Sequence, residues 1–166
     1  MPQESIEAGV SLAFFSGDKL LGGPQSGIIV GKSHHIDIIS NHPLARAFRA
    51  DKMTLSALTA TLMHYVLGEA MQKIPIWRMI STQLDFLEKR AREWADAIGK
   101  NAEVVSGRSA VGGGSLPGVT LPTVLLSLDA SEFEGGADAL ALKLRQGNPP
   151  VIGRIEDEKV LLDPRS

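Results

Sequence analysis

The sequence contains no cysteine, which excludes disulfide bonds and thiolate metal sites. Aromatic residues make up only 5% of its 166 residues, and no apolar run approaches the length needed to span a bilayer. The net charge of −2 gives no general attraction to nucleic acid, so RNA binding would need a local patch or a further segment. The first residues have neither the basic nor the long apolar region of a signal peptide. These absences agree with a cytoplasmic protein that makes no membrane contact.

Residues 1–100 carry short apolar runs followed by helical patterns. We predict strands at 10–15 and 27–31, which would form the edge of a large sheet. Helices are predicted at 2–8, 33–40, 51–67 and 82–98. Two strands are too little sheet for a free-standing α/β domain. We therefore expect this part to close a larger domain and the chain to be a truncated version of a longer enzyme.

Two of the predicted helices carry an apolar face that we expect to be buried. The faces comprise, in residues 51–67, Met53, Leu55, Leu58, Leu62, Tyr65 and Val66 and, in residues 82–98, Leu84, Leu87, Ala91, Trp94 and Ile98. Between these helices, Ile74–Ile80 contains Pro75 and is predicted to be a connector. Ser81 or Thr82 is predicted to cap the second helix.

Residues 101–166 have a different pattern, with short β-type runs around one helix. The strands are predicted at 103–106, 123–128, 151–156 and 160–162, and the helix at 136–145. The last two strands are expected to form a hairpin over Asp157 and Glu158, and Gly112–Gly114 a local turn. This order predicts a small C-terminal α+β domain with a mainly antiparallel sheet, and a domain boundary near residue 100.

Lys19 is the most informative candidate for chemistry. It follows an apolar run and precedes the turn Gly22–Pro24, which places one amine at the end of a buried strand beside small residues. Such an amine can form a Schiff base with a carbonyl cofactor, and Ser16 can donate a hydrogen bond to a phosphate. The spacing Ser-x-x-Lys also fits a solvated loop lysine, and those four residues alone favour that simpler interpretation.

Arg46 and Arg49 form a second candidate site. A spacing of three puts both guanidinium groups on one side of a helical turn, where they can converge on a phosphate-like anion. Spacing alone favours the alternative, in which the pair is solvated or forms a salt bridge, for example with Asp51.

The four histidines do not form a metal-binding pattern. His34 and His35 are adjacent and are expected to point apart, and neither acidic nor cysteine ligands recur near His42 or His64 at useful spacing. We interpret them as surface or packing residues and predict no metal site. Trp77 and Trp94 lie among helical apolar positions and are expected in the core or at an interface.

Four long stretches carry specific runs of residues: Ser16–Gly31, Asn41–Lys52, Ala110–Val119 and Gly147–Asp157. In this order they resemble the bacterial selenocysteine synthases, the L-seryl-tRNA(Sec) selenium transferase family. The family form of the second stretch is Asn-Pro-Leu-x-Arg-Ala-x-Arg-x-Asp-Lys, from which this sequence differs at His42. The resemblance runs from Glu4 to Arg165.

The resemblance implies the C-terminal portion of a fold-type-I transferase that depends on pyridoxal 5'-phosphate, similar to the aspartate aminotransferase superfamily. Residues 1–100 would complete the large cofactor domain, and residues 101–166 the small domain. Lys19 would hold the cofactor and act as the proton-transfer base, with Ser16 near its phosphate. The implied reaction converts seryl-tRNA(Sec) to selenocysteinyl-tRNA(Sec), with Arg46 and Arg49 binding the phosphate of selenophosphate.

Three points stay open under this resemblance. Arg154 would face the active site, as small-domain arginines do in related enzymes, or would pair with Glu156 or Asp157 on its strand. In such enzymes the residues that stack on the cofactor, and the tRNA-binding region, precede the lysine, so activity of this chain alone is uncertain. The rival functions are a related lyase acting on a small phosphorylated amino compound and a non-catalytic fragment. The family also implies a homo-oligomer.

Overall fold

The computed structural model of the chain describes residues 2–112 and 116–166, which form a mixed α/β structure of short elements. In chain order these are α1 (Pro2–Glu7), β1 (Leu12–Ser16), β2 (Gly27–Gly31), α2 (Ser33–Asn41), α3 (Pro43–Ala47), α4 (Lys52–Val66), α5 (Ala70–Lys73), α6 (Pro75–Ser81), α7 (Leu84–Ile98), β3 (Ala102–Ala110), β4 (Thr120–Asp129), α8 (Gly136–Arg145), β5 (Arg154–Glu156) and β6 (Lys159–Leu162). The chain divides between Arg78 and Met79 into two compact units, called here the first and second unit. None of the helices in the described part combines the length and apolar character needed to cross a membrane.

The first unit contains a two-stranded antiparallel sheet. Strands β1 and β2 pair from Leu12 opposite Gly31 to Ser16 opposite Gly27, so the two strands predicted from the apolar runs are confirmed. The pairing brings the end of β1 beside the start of β2. The loop between them, residues 17–26, therefore begins and ends at the same end of the strand pair.

Very little of the first unit is fully buried. Among its described residues only Gly17 and Ile74 are buried. The helix predicted at 51–67 is confirmed as α4, but its predicted buried face is wrong: Met53 is 83% exposed and Val66 77% exposed, and of that face only Leu58 and Tyr65 are partly buried. The period of the apolar residues gave the helix correctly, because period depends on local geometry, whereas burial depends on what packs against the helix.

The segment between α4 and α7 also differs from its prediction. Residues expected to form a connector begin with Ile74, which is only 2% exposed, and continue as helix α6. Pro75 is the first residue of that helix, a position where the missing N–H of proline costs nothing. Neither Ser81 nor Thr82 caps the next helix, since Gln83 occupies the N-cap of α7 and makes no capping hydrogen bond with its side chain.

The second unit is built on a four-stranded antiparallel sheet of order β3-β4-β6-β5. The predicted order of strands and helix in this region is confirmed, and α8 spans the predicted residues. The hairpin between β5 and β6 turns at Asp157 and Glu158, whose φ angles of 49° and 60° are left-handed. The predicted turn at Gly112–Gly114 lies partly outside the described residues.

The core of the second unit lies between this sheet and its helices. Its buried members are Leu126, Leu128, Ala130, Ala137, Ala141 and Val160, with Trp94 packed at the edge. From α7, Leu87 and Ala91 are fully buried, whereas Leu84 and Ile98 at its two ends are 44% and 50% exposed. Helix α7 packs on β3 and β4, so it belongs to the second unit. The compact units therefore divide earlier than the boundary predicted near residue 100, and the domain assignment based on that boundary stays a prediction.

Arg165 is the polar anchor of the second unit. Its guanidinium donates hydrogen bonds to the carbonyls of Met79 at 2.9 Å, Thr82 at 3.2 Å and Pro122 at 2.7 Å. Asp163 fixes the adjoining backbone, because its carboxylate accepts from the Arg165 amide at 3.0 Å. One cation thus satisfies carbonyls from separate segments, and such charge-assisted bonds are stronger than neutral ones.

We predict that Arg165→Ala lowers the free energy of unfolding by about 2–4 kcal/mol, because several carbonyls lose their charged donor together. Equilibrium urea unfolding measures the change. Arg145→Ala is the matched control, since Arg145 is an exposed residue at the end of α8 and its loss should change stability by less than about 0.5 kcal/mol. Equal effects of the two substitutions would contradict the anchoring role of Arg165.

Candidate active site

The loop that carries Lys19 closes on itself through backbone hydrogen bonds. The amide of Gly22 donates to the carbonyl of Lys19 at 2.9 Å, which closes a four-residue turn. At the ends of the loop, the amide of Gly17 donates to the carbonyl of Ser26 at 2.8 Å. Within the loop, the amide of Gly23 donates to the carbonyl of Gly17, also at 2.8 Å. The position of Lys19 is therefore set by backbone contacts on both sides of it.

Two glycines in this loop occupy space that no side chain could share. A Cβ at Gly17 would lie 2.3 Å from Ser26 Oγ and 2.6 Å from the carbonyl of Pro24. Gly22 has a φ of +73°, and a Cβ there would lie 2.3 Å from Cγ2 of Ile74. The glycine-rich sequence around the lysine is thus required by close packing of the loop, and not only by chain flexibility.

Ser16 and Lys19 are brought together by Asp18, a residue that the sequence analysis did not single out. Lys19 Nζ lies 3.1 Å from Asp18 Oδ2, and the Ser16 hydroxyl donates a short hydrogen bond to Asp18 Oδ1. The bond from Ser16, followed by that from Lys19, lowers the pKa of Asp18 below its usual value. The carboxylate is therefore ionised at neutral pH. The Lys19 side chain itself is 50% exposed, so its amine is accessible to a ligand.

A second contact to the loop, from Tyr65, was also missed. The Tyr65 hydroxyl lies 2.8 Å from the carbonyl of Leu21 and 3.3 Å from that of Leu20, and it accepts a hydrogen bond of 2.7 Å from Nε1 of Trp77. Burial raises the pKa of Tyr65 above its usual value. From the sequence, Tyr65 was predicted on an apolar face and Trp77 in the core or at an interface. The only signal in the sequence for this hydrogen bond was that a tyrosine O–H and a tryptophan N–H usually find a partner when they are buried.

Arg46 and Arg49 line one open depression on the surface of the first unit. Arg46 lies in the last turn of α3, but that helix ends at Ala47, so Arg49 lies beyond it and the predicted single helical turn is wrong. Asp51 is not their partner, because its carboxylate caps α4 by accepting from the Thr54 amide at 2.9 Å. Both arginines are exposed, and within the described residues neither guanidinium has a hydrogen-bonding partner.

Arg154 lies in the second unit and makes local contacts. Its Nε is 3.3 Å from Glu156 Oε2, and its NH1 donates to the carbonyl of Arg108 at 3.2 Å. The contact with Glu156 is the ion pair that the sequence left open as the alternative to an active-site position of Arg154. A role of Arg154 in substrate binding stays a prediction.

The histidines have local structural contacts. His42 Nδ1 accepts from the Leu44 amide at 3.2 Å and so caps α3, and His64 lies 3.4 Å from Glu69. The expectation that His34 and His35 point apart is wrong, since their ring centroids are 3.8 Å apart. Within residues 2–112 and 116–166, no group of three or more histidine or acidic side chains is placed to hold a metal ion.

Comparison with solved structures identifies the fold. A D-glucosaminate-6-phosphate ammonia-lyase structure matches 96% of this chain and 40% of its own chain, with a TM-score of 0.62 and 22% sequence identity. The chain therefore shares the mixed α/β fold of that lyase.

The sequence identifies the family. The protein-family model described as SelA: L-seryl-tRNA selenium transferase matches residues 1–166, and the chain belongs to this family. The L-seryl-tRNA(Sec) selenium transferase of Carboxydothermus hydrogenoformans is 42% identical over 169 residues, which cover 99% of this chain and 36% of the relative. That of Escherichia coli O45:K1 is 44% identical over 173 residues, which cover 99% and 37%. The chain thus spans little more than a third of the length of these curated relatives.

We predict that Gly22→Ala destabilises the fold by about 2–4 kcal/mol, because the new methyl group meets Ile74 and the backbone has a positive φ. Gly68→Ala is the matched control: Gly68 has nearly the same φ, +71°, but a Cβ there would enter open space. It should cost only about 1 kcal/mol. Urea unfolding of the two variants separates steric packing from backbone strain, and equal losses would show that contact with Ile74 is unimportant.

We predict that Tyr65, the only tyrosine in the chain, ionises above pH 10.0, the usual pKa of tyrosine. Because folding raises this pKa, the hydroxyl contributes stability below the unfolded value, and this contribution is lost as pH rises through the folded value. Near-ultraviolet absorbance of tyrosinate measures the midpoint in the folded and urea-unfolded chain. Trp77→Phe should raise the folded midpoint further, since the indole N–H favours the phenolate. Identical folded and unfolded midpoints would contradict the burial of this hydroxyl.

Proposed function

We propose that this chain is part of a selenocysteine synthase that depends on pyridoxal 5'-phosphate and has the fold of type I cofactor enzymes. The observation that carries the proposal is the half-exposed amine of Lys19 on a loop fixed by buried glycine, in a chain of the SelA family. Lys19 would hold the cofactor covalently through this amine. When bound, the cofactor supplies an electron sink for loss of the seryl hydroxyl group.

The residues around Lys19 suit this task. The backbone of the turn determines where the amine lies, and Asp18, ionised and 3.1 Å away, orients it. Lys19 would also act as the proton-transfer base at this amine. The Ser16 hydroxyl now donates to Asp18. In our proposal it turns from this carboxylate to donate to the cofactor phosphate.

Arg46 and Arg49 are proposed to bind the phosphate of selenophosphate. The support is that both guanidinium groups border one open depression, are exposed, and have no acidic partner among the described residues. Free guanidinium groups that converge on a phosphate form strong charge-assisted hydrogen bonds. Arg154 would join the substrate site only by exchanging its contact with Glu156. The proposed partners are seryl-tRNA(Sec) and further copies of the chain, in the cytoplasm.

Two alternatives predict different results. A related lyase acting on a small phosphorylated amino compound would use the same lysine, and the likeness to D-glucosaminate-6-phosphate ammonia-lyase favours it at the level of fold. It would bind a small phosphorylated amine and be indifferent to seryl-tRNA(Sec). A non-catalytic fragment would bind no pyridoxal phosphate.

We predict that the chain captures pyridoxal phosphate at Lys19. Titration should produce a visible absorbance band, and borohydride reduction should leave a covalent adduct that peptide mass spectrometry maps to Lys19. Lys19→Ala should remove the adduct at that position and most of the band, because no other amine is held on this loop. Lys73→Ala, which removes an exposed lysine from α5, is the control and should retain both. A band of undiminished strength in Lys19→Ala would exclude Lys19 as the cofactor lysine.

A further inference from the structure

Helix α4 touches the lysine loop through two side chains on one face. Thr61 and Tyr65 are four residues apart, so they lie one above the other along the helix. A Cβ at Gly23 would lie 3.3 Å from Thr61 Oγ1, and the Tyr65 hydroxyl lies 2.8 Å from the carbonyl of Leu21. Two polar side chains of α4 thus face the loop, while its apolar residues Met53 and Val66 are exposed.

The carbonyls that Tyr65 contacts belong to the turn that carries Lys19. This turn is closed by the Gly22 amide, which donates to the Lys19 carbonyl at 2.9 Å. Leu20 and Leu21 are its two central residues, and both of their carbonyls face the same hydroxyl. A displacement of either carbonyl rotates its own peptide unit, between Leu20 and Leu21 or between Leu21 and Gly22, and so changes the turn from which the Lys19 side chain extends.

Trp77 determines the direction in which the Tyr65 hydroxyl donates. A phenol oxygen carries a single proton, and the Trp77 N–H, at 2.7 Å, occupies an acceptor position on that oxygen. The proton is therefore directed at the turn, nearest the Leu21 carbonyl. Because indole can only donate, this order of donors and acceptors cannot reverse.

We propose that Tyr65, oriented by Trp77, is a positioning residue that holds the Lys19 turn in the geometry needed for capture of the cofactor aldehyde. Tyr65 acts through the backbone of Leu20 and Leu21 and does not touch the lysine amine. This inference rests on the proposed function of Lys19. The contact of Tyr65 with the turn can nevertheless be tested without the cofactor.

The first measurement is trapping at individual lysines. The wild type, Tyr65→Phe, Trp77→Phe and the double variant are exposed to pyridoxal phosphate, reduced with borohydride at set times and digested. In Tyr65→Phe, the trapping rate at Lys19 should fall roughly threefold to tenfold, the effect of losing one hydrogen bond. Trapping at the exposed Lys73 of the same molecule is the internal control and should not change. A smaller loss is expected in Trp77→Phe.

The double variant separates positioning from general stability. If Trp77 acts only by orienting the Tyr65 hydroxyl, Tyr65→Phe with Trp77→Phe should lose no more trapping at Lys19 than Tyr65→Phe alone. Wild-type trapping at Lys19 in Tyr65→Phe would overturn the inference. Equal loss at all lysines, or losses at Lys19 that multiply in the double variant, would also overturn it, because both indicate a general effect of unfolding.

The second measurement is hydrogen exchange of the Gly22 amide, read by nuclear magnetic resonance without cofactor. Tyr65→Phe should speed this exchange roughly threefold to tenfold, while exchange at Val160 in the second unit stays unchanged. If the wild type shows no preference for Lys19 in trapping, the proposed function fails, and the Gly22 amide alone decides whether Tyr65 holds the turn. Unchanged exchange overturns that contact. If Tyr65→Phe does not fold, Trp77→Phe tests the same bond with the tyrosine in place.

Discussion

The close approach of Gly22 to Ile74 is the constraint on which the first unit depends. Ile74 is one of only two buried residues among those described in this unit, and the other, Gly17, begins the loop that Gly22 helps to close. Both of these buried residues thus lie in or against the loop that carries one exposed lysine. A small unit that buries little apolar surface gains little free energy of folding from that burial. In this unit the packing surrounds the turn that carries the proposed cofactor lysine.

The two units differ in how they are held together. The second has a continuous apolar core around Leu126 and Val160, both fully buried, and a polar anchor at Arg165 that joins separate segments. The first relies on backbone hydrogen bonds within a loop and on the contacts of Tyr65. Among its described large apolar side chains only Ile74 is fully buried, so apolar burial contributes less to its stability than to that of the second unit.

Local pattern predicted the elements well. Strand β2, helix α8 and the hairpin at Asp157 follow from apolar runs and turn residues, whose effects extend over only a few positions. Burial was predicted poorly: the period of α4 showed which residues share a face, but not what would cover that face. Helix α6 was missed because Pro75 suggests a break, although proline is also favoured at a helix start.

The sequence offered Lys19, Arg46 and Arg49 as site residues chiefly through the family resemblance, and their roles stay predictions. The contacts of Asp18 and Tyr65 were not predicted, because the first depends on side-chain rotamers and the second on a loop more than forty residues away. The chemical identity of a site is local in sequence, whereas its geometry depends on distant residues.

The loop between β1 and β2 has a consequence for residue 19 itself. The backbone there is fixed by Gly17, Gly22 and the Tyr65 hydroxyl, and none of these contacts uses the lysine side chain. The placement of residue 19 therefore does not depend on its own side chain. A different side chain at position 19, such as a thiol or one carrying a spectroscopic label, would therefore lie at the same place on the surface. The loop would keep its conformation.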